Sequence, residues 1–127
     1  MFVKIALLLL LWGMPFAAKA QFTFTTNDGA VTITGYTGSG GVVVIPSMTN
    51  GWPINYIGNS AFSGKTNITS VLIGSNVTSI GDFAFVSCLN LTNAIMPNCV
   101  TNIGGDAFYG CGLTSISIST NADTIGS

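Results

Sequence analysis

Ile57-Gly58-Asn59-Ser60-Ala61-Phe62 returns as Ile80-Gly81-Asp82-Phe83-Ala84-Phe85 and again as Ile103-Gly104-Gly105-Asp106-Ala107-Phe108, and Ile125-Gly126 opens a further copy. The spacings are 23, 23 and 22 residues. A fixed period of this length marks a solenoid, in which one coil buries its apolar side only by stacking on its neighbours. The same offsets recur between the copies. A Leu or Ile falls at Ile68, Leu91 and Leu113, then alternating apolar positions at Val71 and Ile73, Ala94 and Met96, and Ile116 and Ile118. Val77, Val100 and Ala122 complete the three copies. The alternation predicts half-buried strands over 70–73, 93–96 and 115–118, aligned as a parallel sheet. The Ala-Phe segments are predicted to form a short helical turn in each coil that carries Phe62, Phe85 and Phe108 inward as a ladder.

Working outward, the N-terminal side of the repeats is irregular. Phe22 and Phe24 alternate with Thr, Asn27-Asp28-Gly29 supplies turn chemistry, and Val31, Ile33 and Tyr36 answer it, so 22–36 reads as a β-hairpin. Residues 21–41 are expected to cap the stack, since terminal repeats need an atypical cover. The solenoid is expected over 42–127, with regular coils at 57–79, 80–102 and 103–124. Val42 to Ile45, ended by Pro46, reads as the strand of a first, irregular coil whose return is lengthened by Met48 to Trp52. Residues 1–20 read as a cleaved secretory signal: Lys4, an apolar run from Ile5 to Trp12, Pro15, and Ala18-Lys19-Ala20 before Gln21. That run is too short for a stable membrane span, so the mature chain is expected to begin at Gln21.

Charge narrows the function classes. Beyond residue 20 the charged side chains are Lys65, Asp28, Asp82, Asp106 and Asp123, and the chain has no Arg, Glu or His. A surface without clustered positive charge cannot neutralise a run of phosphates, which excludes nucleic acid as a partner and disfavours an anionic membrane. Ser, Thr, Asn and Gly dominate the polar positions instead and give a neutral, hydrogen-bonding surface.

The frames Leu91-x-x-Ala94-x-Met96-x-x-Cys99, Ile68-x-x-Val71-x-Ile73-x-x-Asn76 and Leu113-x-x-Ile116-x-Ile118-x-x-Asn121 fit the leucine-rich-repeat skeleton. Joined to Ile-Gly-x-x-Ala-Phe and the Cys that follows it, they make the chain resemble the BspA-type leucine-rich repeat of bacterial surface and secreted proteins, from Val42 to Gly126. The resemblance implies a right-handed, mainly β solenoid. It also implies a non-catalytic binding module outside the cell or on its surface, with adhesion to matrix proteins or other cells in some members.

Catalytic readings fail on inventory, because general acid–base work would fall to Asp, Lys65, Tyr or Cys. Asp82 and Asp106, at neighbouring offsets of successive coils, are the one carboxylate pair that an enzyme could use. The structural reading, shared with Asn59, is N-terminal capping of the short turns. Cys88 and Cys111 hold one position in successive coils, within backbone reach of a disulfide, and read as buried thiols in preference to a bridge. Cys99 stands at the Asn-or-Cys position of the frame, where a side chain satisfies a turn. Neither a metal nor a cofactor is expected. Asn67-Ile68-Thr69, Asn76-Val77-Thr78 and Asn90-Leu91-Thr92 match the N-glycosylation pattern, as a Thr- and Asn-rich repeat would by composition.

Binding is the remaining class, with a protein or cell-surface ligand as partner. Ser70, Leu72, Asn93, Ile95, Ser115 and Ser117 alternate with the core positions and are expected to point outward, Leu72 beside Ile95. Trp52 and Tyr56 form a second candidate surface, since aromatic residues favour interfaces. A structural alternative makes the chain one piece of a longer array. An uncapped last coil is then expected to self-associate through its edge.

Overall fold

The structure is a computed structural model that describes residues 21–118, 120–122 and 124–126, so the leader at 1–20 lies outside the described residues. Among the described residues eleven strands build two walls, parallel except for two antiparallel hairpin pairs. β1 (Phe22–Asn27) and β2 (Ala30–Tyr36) form the expected hairpin, turned by Asp28 and Gly29 at φ +49° and +81°. β2 also lies parallel to β5 (Trp52–Ile57), and β7 (Ser79–Ile80), β9 (Asn102–Ile103) and β11 (Thr124–Ile125) continue that wall. The opposite wall runs β3 (Gly41–Val44), β6 (Ile68–Leu72), β8 (Asn93–Ile95), β10 (Ser115–Ser117). Each coil gives one strand to each wall, and four coils run from β2 to β10. The first coil therefore starts inside the hairpin, and only β1 is a pure cap.

Register turns the sequence period into columns of like residues. Ile33, Ile57, Ile80, Ile103 and Ile125 align across one wall, and Val43, Val71, Ala94 and Ile116 across the other. Between the walls the rings of Phe62 and Phe85 stack at 4.7 Å and 11°, and those of Phe85 and Phe108 at 5.1 Å and 3°. Phe22 and Tyr36 close the top of this column, 6.2 and 5.5 Å from Phe62. Each such ring pair contributes about 0.5–1.5 kcal/mol beyond the area it buries.

The Ala-Phe arcs are not helical, and the reason is visible in their hydrogen bonds. The N–H groups of Ser60, Phe62 and Gly64 donate to the carbonyls of Asp82, Ala84 and Val86 in the next coil, at 3.0, 2.7 and 2.8 Å. The alternate N–H groups of Ala61, Ser63 and Lys65 close tight turns on Gly58, Ser60 and Phe62. A continuing helix would turn successive N–H groups back onto its own segment, whereas here every second N–H points along the stack to the next coil. Alternation is achieved by left-handed residues at Ser60 and Gly64, Phe83 and Ser87, and Asp106 and Gly110.

The capping expectation changes in the same way. Asn59 Oδ1 accepts the Asp82 N–H at 2.9 Å, and Asp82 Oδ1 accepts the Gly105 N–H at 2.8 Å. Both side chains cap the coil that follows instead of their own turn. Asp106 is one place further on, in a left-handed turn position at φ +52°.

Candidate interaction surface

Strand alternation sorts β3, β6, β8 and β10 into an inner and an outer face. Val43, Val71 and Ala94 enter the core, and the residues on either side of them face out. Register then assembles two outward rows. Val42, Ser70, Asn93 and Ser115 form one, and Val44, Leu72, Ile95 and Ser117 the other. All six residues expected on this wall are brought together on one face. Asn93 Nδ2 donates to Ser70 Oγ at 3.3 Å, which fixes the centre of the polar row.

Val42 and Val44, 64 % and 58 % exposed, extend the patch by a strand. They escape a reading based on the regular repeats because the first coil departs from the frame. The signal was present in Gly41 to Ile45, where Val43 and Ile45 alternate with them as core residues. Val44, Leu72 and Ile95 thus form an unbroken apolar row across three strands, about 10 Å long at normal strand spacing. No ionisable side chain stands in either row, so the face offers apolar contact flanked by hydroxyl and amide groups.

Trp52 and Tyr56 belong elsewhere. Both lie exposed on β5 in the opposite wall, where Tyr56 pairs with Thr32 and Ser79. Trp52 flanks the first hairpin turn, its ring about 3.2 Å from where a side chain on Gly29 would begin. Its position comes from a second hairpin, β4 (Met48–Thr49) with β5, turned by Asn50-Gly51 at φ +50° and +82°. An Asn-Gly pair is a strong short-range hairpin signal, and it accounts for the long return of the first coil.

The remaining polar candidates are structural. Cys88 and Cys111 are free thiols whose Sγ atoms donate to the carbonyls of Phe62 and Phe85, one coil back, at 3.0 and 3.1 Å. The hydrogen bond with Cys111, together with burial, pushes the Cys88 thiol far above the ordinary cysteine range. Cys99 Sγ lies 3.0 Å from the carbonyls of both Ser75 and Val77, the turn-satisfying role of its frame position. The amide nitrogens of Asn67, Asn76 and Asn90 donate to the carbonyls of Gly38, Ser47 and Thr66, so each glycosylation-like Asn is part of the stacking network. Among the described residues no group of three or more His, Cys, Asp or Glu could hold a metal ion. None of their helices is long and apolar enough to cross a membrane.

Repeating coils, columns of Ile and Phe, and an outward row on one parallel wall agree with what the comparisons return. The family model for the BspA-type leucine-rich repeat region, of six copies, matches residues 48–127. The chain belongs to the BspA-type leucine-rich repeat family. Among solved structures, this leucine-rich repeat chain is similar to a leucine-rich repeat protein of T. pallidum, at 30 % identity and TM-score 0.81, over 84 % of this chain and 51 % of that one. A leucine-rich cell surface protein of Faecalibacterium prausnitzii is 32 % identical at TM-score 0.63, over 76 % and 31 %. A leucine-rich repeat protein of Bacteroides capillosus is 28 % identical at TM-score 0.62, over 84 % and 93 %. The chain thus spans about half of the first of these and about a third of the second. No curated protein matches it.

Proposed function

We propose that this chain is a non-catalytic binding module, exported to the cell surface or beyond it, which holds a protein ligand on the outer face of β3, β6, β8 and β10. The observation that carries the reading is the apolar row Val44–Leu72–Ile95, set in register beside Ser70 and Asn93. A row of this kind accepts alternate side chains of an extended peptide, and the hydroxyl and amide flank supplies hydrogen bonds that fix its orientation. Uncharged lining favours a neutral, apolar-rich segment over an acidic or basic one. Membership of the family and the likeness to a cell surface protein support the location, and adhesion is the use of such a face that we favour.

Panning a random peptide library on the immobilised protein tests the reading. Enriched peptides are expected to lose binding to a Leu72→Asp/Ile95→Asp variant, whose folding is checked by circular dichroism. Peptides that bind this variant as well as the parent, or a library with no enrichment, would refute the proposed face. The coarser reading, one piece of a longer array, is favoured by a single observation: the relatives from T. pallidum and F. prausnitzii extend well beyond the matched part.

A further inference from the structure

The outer surface of the wall built from β2, β5, β7 and β9 differs in kind from the apolar face across the stack. Its outward row runs Thr32, Tyr56, Ser79, Asn102, one residue per strand in register. Tyr56 is the aromatic member, its ring 43 % exposed. Asn102 Nδ2 donates to Ser79 Oγ at 3.0 Å, which leaves Asn102 Oδ1 as an acceptor and the Ser79 hydroxyl proton as a donor.

Two residues further along each coil stand Gly58, Gly81 and Gly104, whose N–H groups donate to the carbonyls of Ile33, Ile57 and Ile80 at 2.8 Å and continue the ladder. The coils approach too closely here for a side chain: a Cβ on Gly81 would lie 2.7 Å from the Asn59 nitrogen, and one on Gly104 2.6 Å from that of Asp82. A strip of bare backbone therefore runs beside the Tyr56 row. Asn59 and Asp82, both exposed, form its other rim. Each spends Oδ1 on capping the coil that follows, which leaves Asn59 Nδ2 to donate and Asp82 Oδ2 to accept. The result is a shallow furrow along the stack axis, about 10 Å long from Tyr56 to Asn102 at normal strand spacing. It lies on the flank of the stack, where β5, β7 and β9 each have a strand on both sides.

We propose that this furrow binds a neutral glycan, a short run of hexose rings laid along the stack axis with one ring face on Tyr56. The C–H face of a sugar ring is apolar and packs on an aromatic face, while the hydroxyls around its rim both donate and accept. The furrow answers both needs: a half-exposed ring, two donors at Asn59 and Ser79, and two acceptors at Asp82 and Asn102. An extended peptide finds less here. The N–H groups of the floor are already bonded within the ladder, and Tyr56 is the one large apolar group for its side chains to meet. Charge narrows the sugar class. Asp82 places a carboxylate on the rim, and the one cation beyond residue 20, Lys65, lies in the Ala-Phe arc, so an acidic sugar is repelled without compensation. The furrow is on the wall opposite the outer face of β3, β6, β8 and β10 and stands independently of the binding proposed there.

Amide spectra of the protein titrated with cellotetraose, laminaritetraose, maltotetraose and mannotetraose, with tetragalacturonic acid as the charged control, test the proposal. A shallow, open site predicts weak binding, with a dissociation constant on the order of 1 mM. The expected result is that at least one neutral sugar moves the amides of Tyr56, Gly58, Gly81 and Gly104 saturably and the acid does not. Tyr56→Ala is expected to raise the dissociation constant about tenfold or more, Tyr56→Phe to keep most of the binding, and Leu72→Asp to leave it unchanged. Should Tyr56→Ala fail to fold, Asn102→Ala, which removes an exposed acceptor from the same rim, is expected to weaken binding instead. No saturable movement with any neutral sugar at about ten times the expected constant, movement confined to the outer face of β6 and β8, equal binding of the acid, or full binding by the folded rim variants would overturn the proposal.

Discussion

Phe83 holds a backbone conformation that a bulky side chain rarely adopts, φ +57°, and its ring is half exposed. The equivalent places in the neighbouring coils are Ser60 and Asp106, small polar residues that tolerate the left-handed region better. Phe83→Asn is expected to stabilise the protein by about 1 kcal/mol in urea unfolding, because relief of backbone strain outweighs the loss of a partly exposed ring. A loss of stability would mean that the ring packs more tightly than its exposure suggests. Cys88 shows the opposite economy, a polar atom placed where only its neutral form is comfortable. Its thiol is held above the ordinary range in the folded chain, so the folded state keeps a proton that the unfolded state releases above about pH 8.5. Stability contributed by the neutral thiol is therefore complete below that pH and falls as pH rises further, by up to about 1.4 kcal/mol per unit. Cys88→Ala removes this slope, and unfolding curves of both proteins between neutral and alkaline pH check it; parallel curves would contradict the assignment.

At the scale of the element, the strands were legible and the arcs were not. The alternation at Val71 and Ile73 or Ala94 and Met96 reports burial directly, and period and register follow from it. The Ala-Phe arc carries only two inward residues, too few to separate a helical turn from the observed alternation of turn bonds and cross-coil bonds. What distinguishes them is the need of each coil for hydrogen-bond partners in the next, a property of the stack that no single repeat displays. Gly81 marks the close approach: a Cβ there would meet Asn59 Oδ1, and the Asn59 and Gly58 backbones at 2.7 and 2.9 Å. Gly81→Ala is expected to unzip this contact and lower the unfolding midpoint, whereas an unchanged midpoint would show that coils can spread without loss. Phe85, stacked on both sides and fully buried, is the larger test of the column. Phe85→Ala is expected to cost about 3–5 kcal/mol in equilibrium unfolding, and Phe108→Ala less, since Phe108 is covered on one side only. Equal losses would place the stabilisation in the walls instead of the rings.

For the whole molecule, the candidate site was legible in the regular coils and incomplete in the irregular one. Ser70, Leu72, Asn93, Ile95, Ser115 and Ser117 share a face because parity and period agree. Val42 and Val44 complete it through a register that only the assembled wall reveals. Trp52 and Tyr56, a second candidate surface by their chemistry, stand together on β5 in the opposite wall, where the Asn50-Gly51 turn brings that strand. The proposed export carries a simple expectation: a secreted form should begin at Gln21, and an intact mass that retains residues 1–20 would contradict cleavage of a leader there. The protein ligand is proposed to sit on the outer face of β3, β6, β8 and β10. Methyl spectra of Ile-, Leu- and Val-labelled protein, recorded as a library-selected peptide is added, address it most directly. Shifts concentrated at Val44, Leu72 and Ile95 with Ile116 and Ile118 unmoved are expected; shifts confined to Ile116, Ile118 and Ile125, or spread evenly over the stack, would contradict binding at this face.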